Sequence, residues 1–228
     1  MHSFKKIYPH RFEIFLISQA VILFGSLLVP STWFEDFMLP ILFQINLLAG
    51  ILLISKKKKL MWFFVVLLAL TAVIFGISQK GVDERVFGLS RMVIYFLFYA
   101  VVSFEIIKQV WRAKEVSENV ILGLISGYVS LGFIGFFICL SIELTHPNSF
   151  QGLHLQSADT TILLTDRLIY FSYITMLTIG YGDIIPVTTL AQKATILIGL
   201  VGQFYLVILT ATIVGKYINQ KLQDKTKD

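Results

Sequence analysis

Charge is scarce in this chain. Of its 228 residues only 14% are Asp, Glu, Lys or Arg, against about 25% in soluble domains. With 56% hydrophobic residues, 20 phenylalanines and a mean hydropathy of +0.79, the apolar side chains outrun any polar surface that could cover them in water. A water-soluble globule and a disordered chain are both excluded, and the solvent must largely be lipid. Cysteine is nearly absent: Cys139 alone makes no intrachain disulfide and no Cys/His zinc pattern. Catalytic patterns are missing too. His2, His10, His146 and His154 are scattered on ends and loops, and no HExxH, Ser/His/Asp set or carboxylate pair falls on a helix face. An enzyme is therefore not expected, nor a cofactor. The net charge of +5 does not form one basic stripe but sits in short clusters between apolar runs, so no nucleic-acid partner is expected either.

Those runs are long enough to cross a bilayer of about 30 Å, which takes near 20 residues. They fall around 12 to 30, 38 to 55, 60 to 78, 88 to 107, 119 to 142 and 194 to 216, six spans in all. The first could be a signal peptide, but it is long for one and lacks a small-x-small cleavage site before Trp33, so it reads as a retained helix. Basic residues set the orientation. With a cytoplasmic N-terminus the inner segments hold Lys5, Lys6 and Arg11; Lys56 to Lys59; Lys108, Arg112 and Lys114; and Lys216, Lys221, Lys225 and Lys227, fourteen of the 19. The outer loops are mixed or acidic, with Glu35 and Asp36, then Asp83 and Glu84 beside Lys80 and Arg85. Both ends are expected in the cytoplasm, and the chain in the plasma membrane. The Lys56 to Lys59 run reads as a stop signal in a helical hairpin, with an anionic-lipid site as the alternative.

Between the fifth and sixth spans a polar loop, Thr145 to about Thr161, carries His146, Pro147, Asn148 and Gly152. The apolar segment after it, Thr165 to Leu177, has 13 residues and reaches only about 20 Å as a helix. It must enter and turn back. Non-helical backbone at membrane depth survives only where protein buries it or it lines a watery path. The stretch immediately after this half-helix is thus a candidate functional site. Thr165 is expected to cap its outer end, with Asp166 favoured there by the dipole.

That stretch reads Thr178-Ile179-Gly180-Tyr181-Gly182-Asp183, which resembles the filter of potassium channels. An extended chain points successive carbonyls to opposite sides, and lining a pore with all of them needs alternate residues in conformations that glycine permits. Gly180 and Gly182 supply that freedom, so the carbonyls of Thr178, Ile179, Gly180 and Tyr181 can replace the water shell of K+, and the Thr178 hydroxyl can add a lower ring. Tyr181 and Ile179 then project outward toward an aromatic collar of Tyr170, Phe171 and Tyr173. Taken alone the glycine-tyrosine-glycine would be a turn; the preceding half-helix, the Pro186 turn and the last span supply the context the motif demands.

One filter strand per chain implies a homotetramer, since a ring needs four and no second copy is present. Four half-helix C-termini at about −0.5 charge each converge to on the order of −2, which favours a cation. Asp183 is expected to brace the filter from behind through Tyr170, or to add carboxylates at the outer mouth. In the resembling channels an inner-helix glycine lets the helix bend, and Gly202 lies 19 residues past Asp183, where the family places it; close packing is the alternative. Thr210, Ala211 and Gly215, with Thr212, would form the narrow inner end. Gly123 and Gly127 form a small-xxx-small packing pair.

The chain is similar to bacterial members of the two-helix pore-loop ion-channel family with extra helices in front, over residues 118 to 217. It departs where relatives carry a second threonine, here Leu177, and a tryptophan pair, here Tyr170-Phe171. The resemblance implies an all-α membrane protein: a four-helix bundle over 1–110, a pore module with re-entrant half-helix over 111–217, and a short tail over 218–228. A voltage sensor is not expected, because Met92 to Phe104 contains no basic residue, where steep gating needs about three to four per subunit. Arg91 and Trp111 read as interfacial anchors, Ser117 as a cap of the fifth helix. Gln44, Asn46 and Glu105 read as interhelical or interfacial groups before a ligand site. A cytosolic ligand-binding domain is not expected after the short tail. The expected partners are K+, lipid and three further copies. Alternatives are a potassium transporter, disfavoured by the single double-glycine loop, and a non-conducting subunit of a mixed tetramer.

Overall fold

The computed structural model describes residues 8–29, 34, 38–78, 84–113, 115–153 and 160–225. Lys5, Lys6, Lys114 and Lys227 of the expected inner segments lie outside these residues, as do Trp33, Glu35, Asp36, Lys80 and Asp83 of the expected outer ones and His2 and His154. Eight α-helices dominate the described chain: α1 (Arg11–Phe24), α2 (Leu39–Ile54), α3 (Lys58–Ser78), α4 (Glu84–Arg112), α5 (Glu118–Thr145), α6 (Thr160–Met176), α7 (Thr189–Phe204) and α8 (Thr210–Lys225). A five-residue π-turn, Tyr205–Leu209, joins α7 to α8. Two short strands, β1 (Phe150–Gln151) and β2 (Ile185–Pro186), pair antiparallel.

Among the described residues, Tyr8–Leu27, Met92–Arg112, Glu118–Thr145 and Thr189–Gln223 are long and apolar enough to cross a membrane. The expected second span is realised as the 16-residue α2, shorter than the usual crossing length of about 20. The last helix does not end at the expected boundary of 217: helical backbone continues to Lys225, so the tail is largely a continuation of α8.

Aromatic rings fill the front of the bundle. Phe43 on α2, Tyr95 and Tyr99 on α4, and Phe133 and Phe137 on α5 lie with centroids 4.8 to 6.5 Å apart, the offset and edge geometries that ring quadrupoles favour. Polar groups there answer one another. The Tyr99 hydroxyl donates to Asn46 Oδ1 (2.8 Å), Asn46 Nδ2 to Ser18 Oγ (2.8 Å), and Gln19 Nε2 to Ser130 Oγ (2.7 Å). The Thr71 hydroxyl reaches Gln44 Oε1 at 3.1 Å. Lys57 pairs with the buried carboxylate of Glu105. In a medium without water each such bond satisfies a group that would otherwise be costly to bury. Gln44, Asn46 and Glu105 are thus engaged between helices.

The small residues of α5 set its spacing from its neighbours. A Cβ on Gly123 would meet Val110 and Phe12 at 3.1 to 3.3 Å, and one on Gly127 would press on Ile106 and the Tyr205 ring. Ser117 stands at the start of α5 with extended backbone but makes no side-chain capping bond; its carbonyl instead accepts from Val120 and Ile121 N–H.

Candidate functional site: the loop after a helix that stops halfway

The end of α6 fixes the depth of the site. Tyr173 donates its hydroxyl to the Val129 carbonyl (2.7 Å), Ser172 to Gly132 (2.8 Å), and Tyr128 to Met176 (3.3 Å). These α5 residues lie about halfway along Glu118–Thr145, so α6 terminates halfway along its neighbour. Gly132 and Gly135 make the seat, because a side chain on either would intrude on Tyr173 or on Ser172. From there the chain returns: Gln151, just past α5, pairs with Ile185, and Thr188 Oγ1 donates to Ser149 Oγ (3.0 Å) where α7 begins. The chain therefore runs alongside α5 to about half its length and comes back to the end from which it started.

Its helix is longer than the sequence suggests. α6 begins at Thr160 and has 17 residues, about 25 Å, so Thr165 is inside the helix instead of capping it, and Asp166 lies beyond the first turn, where the dipole acts only weakly. The cap that does form is Thr188, whose hydroxyl accepts from Ala191 N–H at the start of α7 (3.3 Å).

Carbonyl partners change abruptly at the loop. The carbonyls of Tyr173, Ile174 and Thr175 accept from the amides of residues 177 to 180. Met176 O is taken by Tyr128 and Leu177 O by the Thr178 hydroxyl (2.7 Å). Among the described residues no donor reaches the carbonyls of Thr178, Ile179, Gly180, Tyr181 or Gly182. In the same stretch φ is positive at alternate residues: Thr178 (59°), Gly180 (55°) and Gly182 (80°). Alternation of left-handed and ordinary backbone turns successive carbonyls toward one side, where an extended strand would alternate them. Glycine takes such φ freely, but a β-branched threonine does so only under local constraint. Thr178 is the position that glycine-based reasoning missed. A cavity of about 330 Å³ lies against this loop, lined by Phe171, Ile174, Thr175 and Thr195 together with Thr178 and Gly180.

The expected supports separate into two groups. Tyr170 lies close enough to Asp183 to feel its carboxylate, and Tyr181 is also within electrostatic range. Phe171 is buried edge-on against Phe150 of β1 (5.2 Å, 65°). Tyr173 does not belong to a collar around the loop: it points into α5, edge-on to Phe133 at 5.8 Å. Tyr181 and Ile179 are 73% and 47% exposed in the single chain.

Two supports had no role assigned to them from the sequence. Glu143, buried in the last turn of α5, accepts from the amides of Asn148 (2.7 Å), Ser149 (3.0 Å) and Phe150 (3.1 Å). Ser149 in turn accepts the Val187 amide on its carbonyl (2.9 Å). A carboxylate at a helix C-terminus opposes the dipole, and that misplacement before a Pro-Asn-Ser turn was the available signal. Gly152 (φ 93°) lies directly against the Asp183 carbonyl, where any Cβ would collide.

On the last helix Gly202 packs against the end of α6, its hypothetical Cβ 2.9 Å from Met176 O. That is the close-packing role. The departure from α geometry comes three residues later, at Tyr205–Leu209, and such π-turns mark bends and functional positions in helices. Thr210, Ala211 and Gly215 lie beyond it in α8. All three are exposed in the single chain, and a Cβ on Gly215 would meet nothing.

Residues 124–219 match the family model described as an ion channel. The matched segment runs from α5 through the loop into α8, the part of the chain that holds the re-entrant helix, and it supports an ion-channel class for this membrane protein. No curated protein and no solved structure matches the chain.

Proposed function

We propose that the chain is one subunit of a potassium-selective channel in the plasma membrane, a homotetramer that conducts K+ passively and without steep voltage dependence. One observation carries this reading: five consecutive carbonyls without a donor among the described residues, on backbone with alternately positive φ, directly after a helix that stops halfway along its neighbour. Such oxygens cost free energy in a membrane unless a ligand meets them, and a dehydrated alkali ion is the ligand they suit. In the proposed assembly, four copies place the carbonyls of Thr178, Ile179, Gly180 and Tyr181 around an axis. The exposed Tyr181 and Ile179 then pack on neighbouring subunits, and Asp183 with Tyr170 holds the ring at its working diameter. The exposed apolar side chains of α7 and the π-turn after it, Leu197, Leu200, Phe204 and Val207 among them, meet other subunits and lipid. Both termini lie in the cytoplasm, and no cofactor is required.

The deciding measurement is current through purified protein in a planar bilayer under a potassium gradient against sodium. The reading expects reversal at the potassium potential, with selectivity or current lost on Gly180→Ala, since alanine resists φ near +55°. Equal permeability to both ions sinks it.

A further inference from the structure

At the end of the bundle opposite the Thr178–Asp183 loop lies a second cavity, of about 500 Å³, between α1, α2, α4 and the start of α5. Its ionic lining is strongly one-sided: Arg11, Lys56, Lys57, Lys108 and Arg112 against Glu105 alone. Lys57 is paired with Glu105. The other four cations have no carboxylate within ion-pair distance among the described residues. Two are held in place without neutralisation. The Arg11 guanidinium lies 4.4 Å from the ring centroids of both Tyr8 and Phe12, and Lys56 Nζ lies 4.4 Å from the Tyr8 ring. Arg11 Nε is buried and has no hydrogen-bond partner.

Four unpaired cations converging on one hollow repel each other, and a guanidinium with a buried free donor is poised for an oxyanion. We propose that this cavity is a binding site for a phosphate-bearing anion, either the headgroup of an anionic lipid or a soluble phosphate compound. It divides the run of four exposed lysines, because Lys56 and Lys57 line the hollow and Lys58 and Lys59 do not.

The site is wired to the last helix. Arg112 ends α4, and the linker after it is fastened to α8: Lys216 Nζ donates to the carbonyls of Trp111 (2.6 Å) and Ala113 (2.9 Å), and Val116 N–H donates to Gln220 Oε1 (2.9 Å). An anion that draws Arg11 and Arg112 together therefore pulls on the inner end of the helix that lines the proposed pore. This consequence rests on the channel reading; binding does not.

The test uses the purified full chain in neutral detergent with two probes, phosphatidic acid followed by native mass spectrometry and inorganic tripolyphosphate followed by thermal unfolding. Binding of at least one probe is expected, weakened about tenfold or more by Lys56→Gln, Lys108→Gln or Arg112→Gln. Lys58→Gln and Lys59→Gln should stay within about twofold of the parent. Saturation by tripolyphosphate assigns a soluble ligand, and retention of phosphatidic acid alone assigns a lipid. Arg11→Gln extends the set, and if it fails to fold the three rim variants decide. The proposal is overturned if neither probe binds, if the rim variants bind like the parent, or if Lys58→Gln weakens binding as much as Lys108→Gln does. Current altered by the bound probe supports the coupling; binding with no current in any condition keeps the site and removes the channel reading instead.

Discussion

The front bundle and the loop after α6 treat polar groups in opposite ways. Around Asn46 side chains bond across neighbouring helices: Tyr99 and Ser18 both bond to it, and Gln19 Nε2 reaches Ser130, leaving Gln19 Oε1 as the one atom of the group without a partner among the described residues. Around Thr178–Gly182 the exposed backbone makes no such arrangement, and its carbonyls have no donors among the described residues. A membrane leaves no water to hide this difference. Polar groups that are answered inside the chain hold helices together, and those left unanswered in a row mark where something else must come.

Three substitutions probe that contrast, beginning with the largest effect. Gly152→Ala places a methyl group on the Asp183 carbonyl at a φ of 93°; it should cost about 3 kcal/mol or more through collision and backbone strain together. The expected outcome is loss of current with the helical content of the bundle retained, measured by reconstitution and circular dichroism. Retained current would show that the loop does not depend on its close contact with Gly152. Next, Glu143→Gln halves the acceptors available to three amides, for a loss of about 2 kcal/mol. Thermal unfolding should fall clearly, and Glu143→Ala should fall further; an unchanged melting temperature in both would mean that the turn is held by Ser149 alone.

The smallest effect belongs to the front bundle. Asn46→Leu removes both of its bonds while keeping an apolar side chain of similar size, and interhelical bonds of this kind average about 0.6 kcal/mol. Stability should drop by about 1 kcal/mol with ion selectivity unchanged. A change in selectivity would place the network in the function itself and erase the distinction drawn between the two regions.

Legibility followed the same division. The re-entrant helix was readable because Thr165 to Leu177 is too short to cross and leads into alternating glycines. Its true start at Thr160 was not, because polar residues at a helix entrance look like loop when the neighbouring helix that supports them is unknown. Tyr170 and Asp183 were paired by sequence reasoning and lie within reach of each other. Tyr173, three positions along the same helix, turned to α5, and only the seat made by Gly132 decides that. Gly202 sat at the expected position yet serves packing, while the irregular turn formed at Tyr205–Leu209.

The order of residues by itself determined that the chain lives in lipid, where it turns back, and which short stretch can expose backbone oxygens. These are local properties: the length of an apolar run and the φ freedom of alternate glycines. Tertiary structure alone decided that Thr178 joins that alternation, that Glu143 and Gly152 brace the loop, and that distant lysines and arginines surround one hollow. Each of those depends on contacts between segments far apart in the chain, which packing creates and no local pattern encodes.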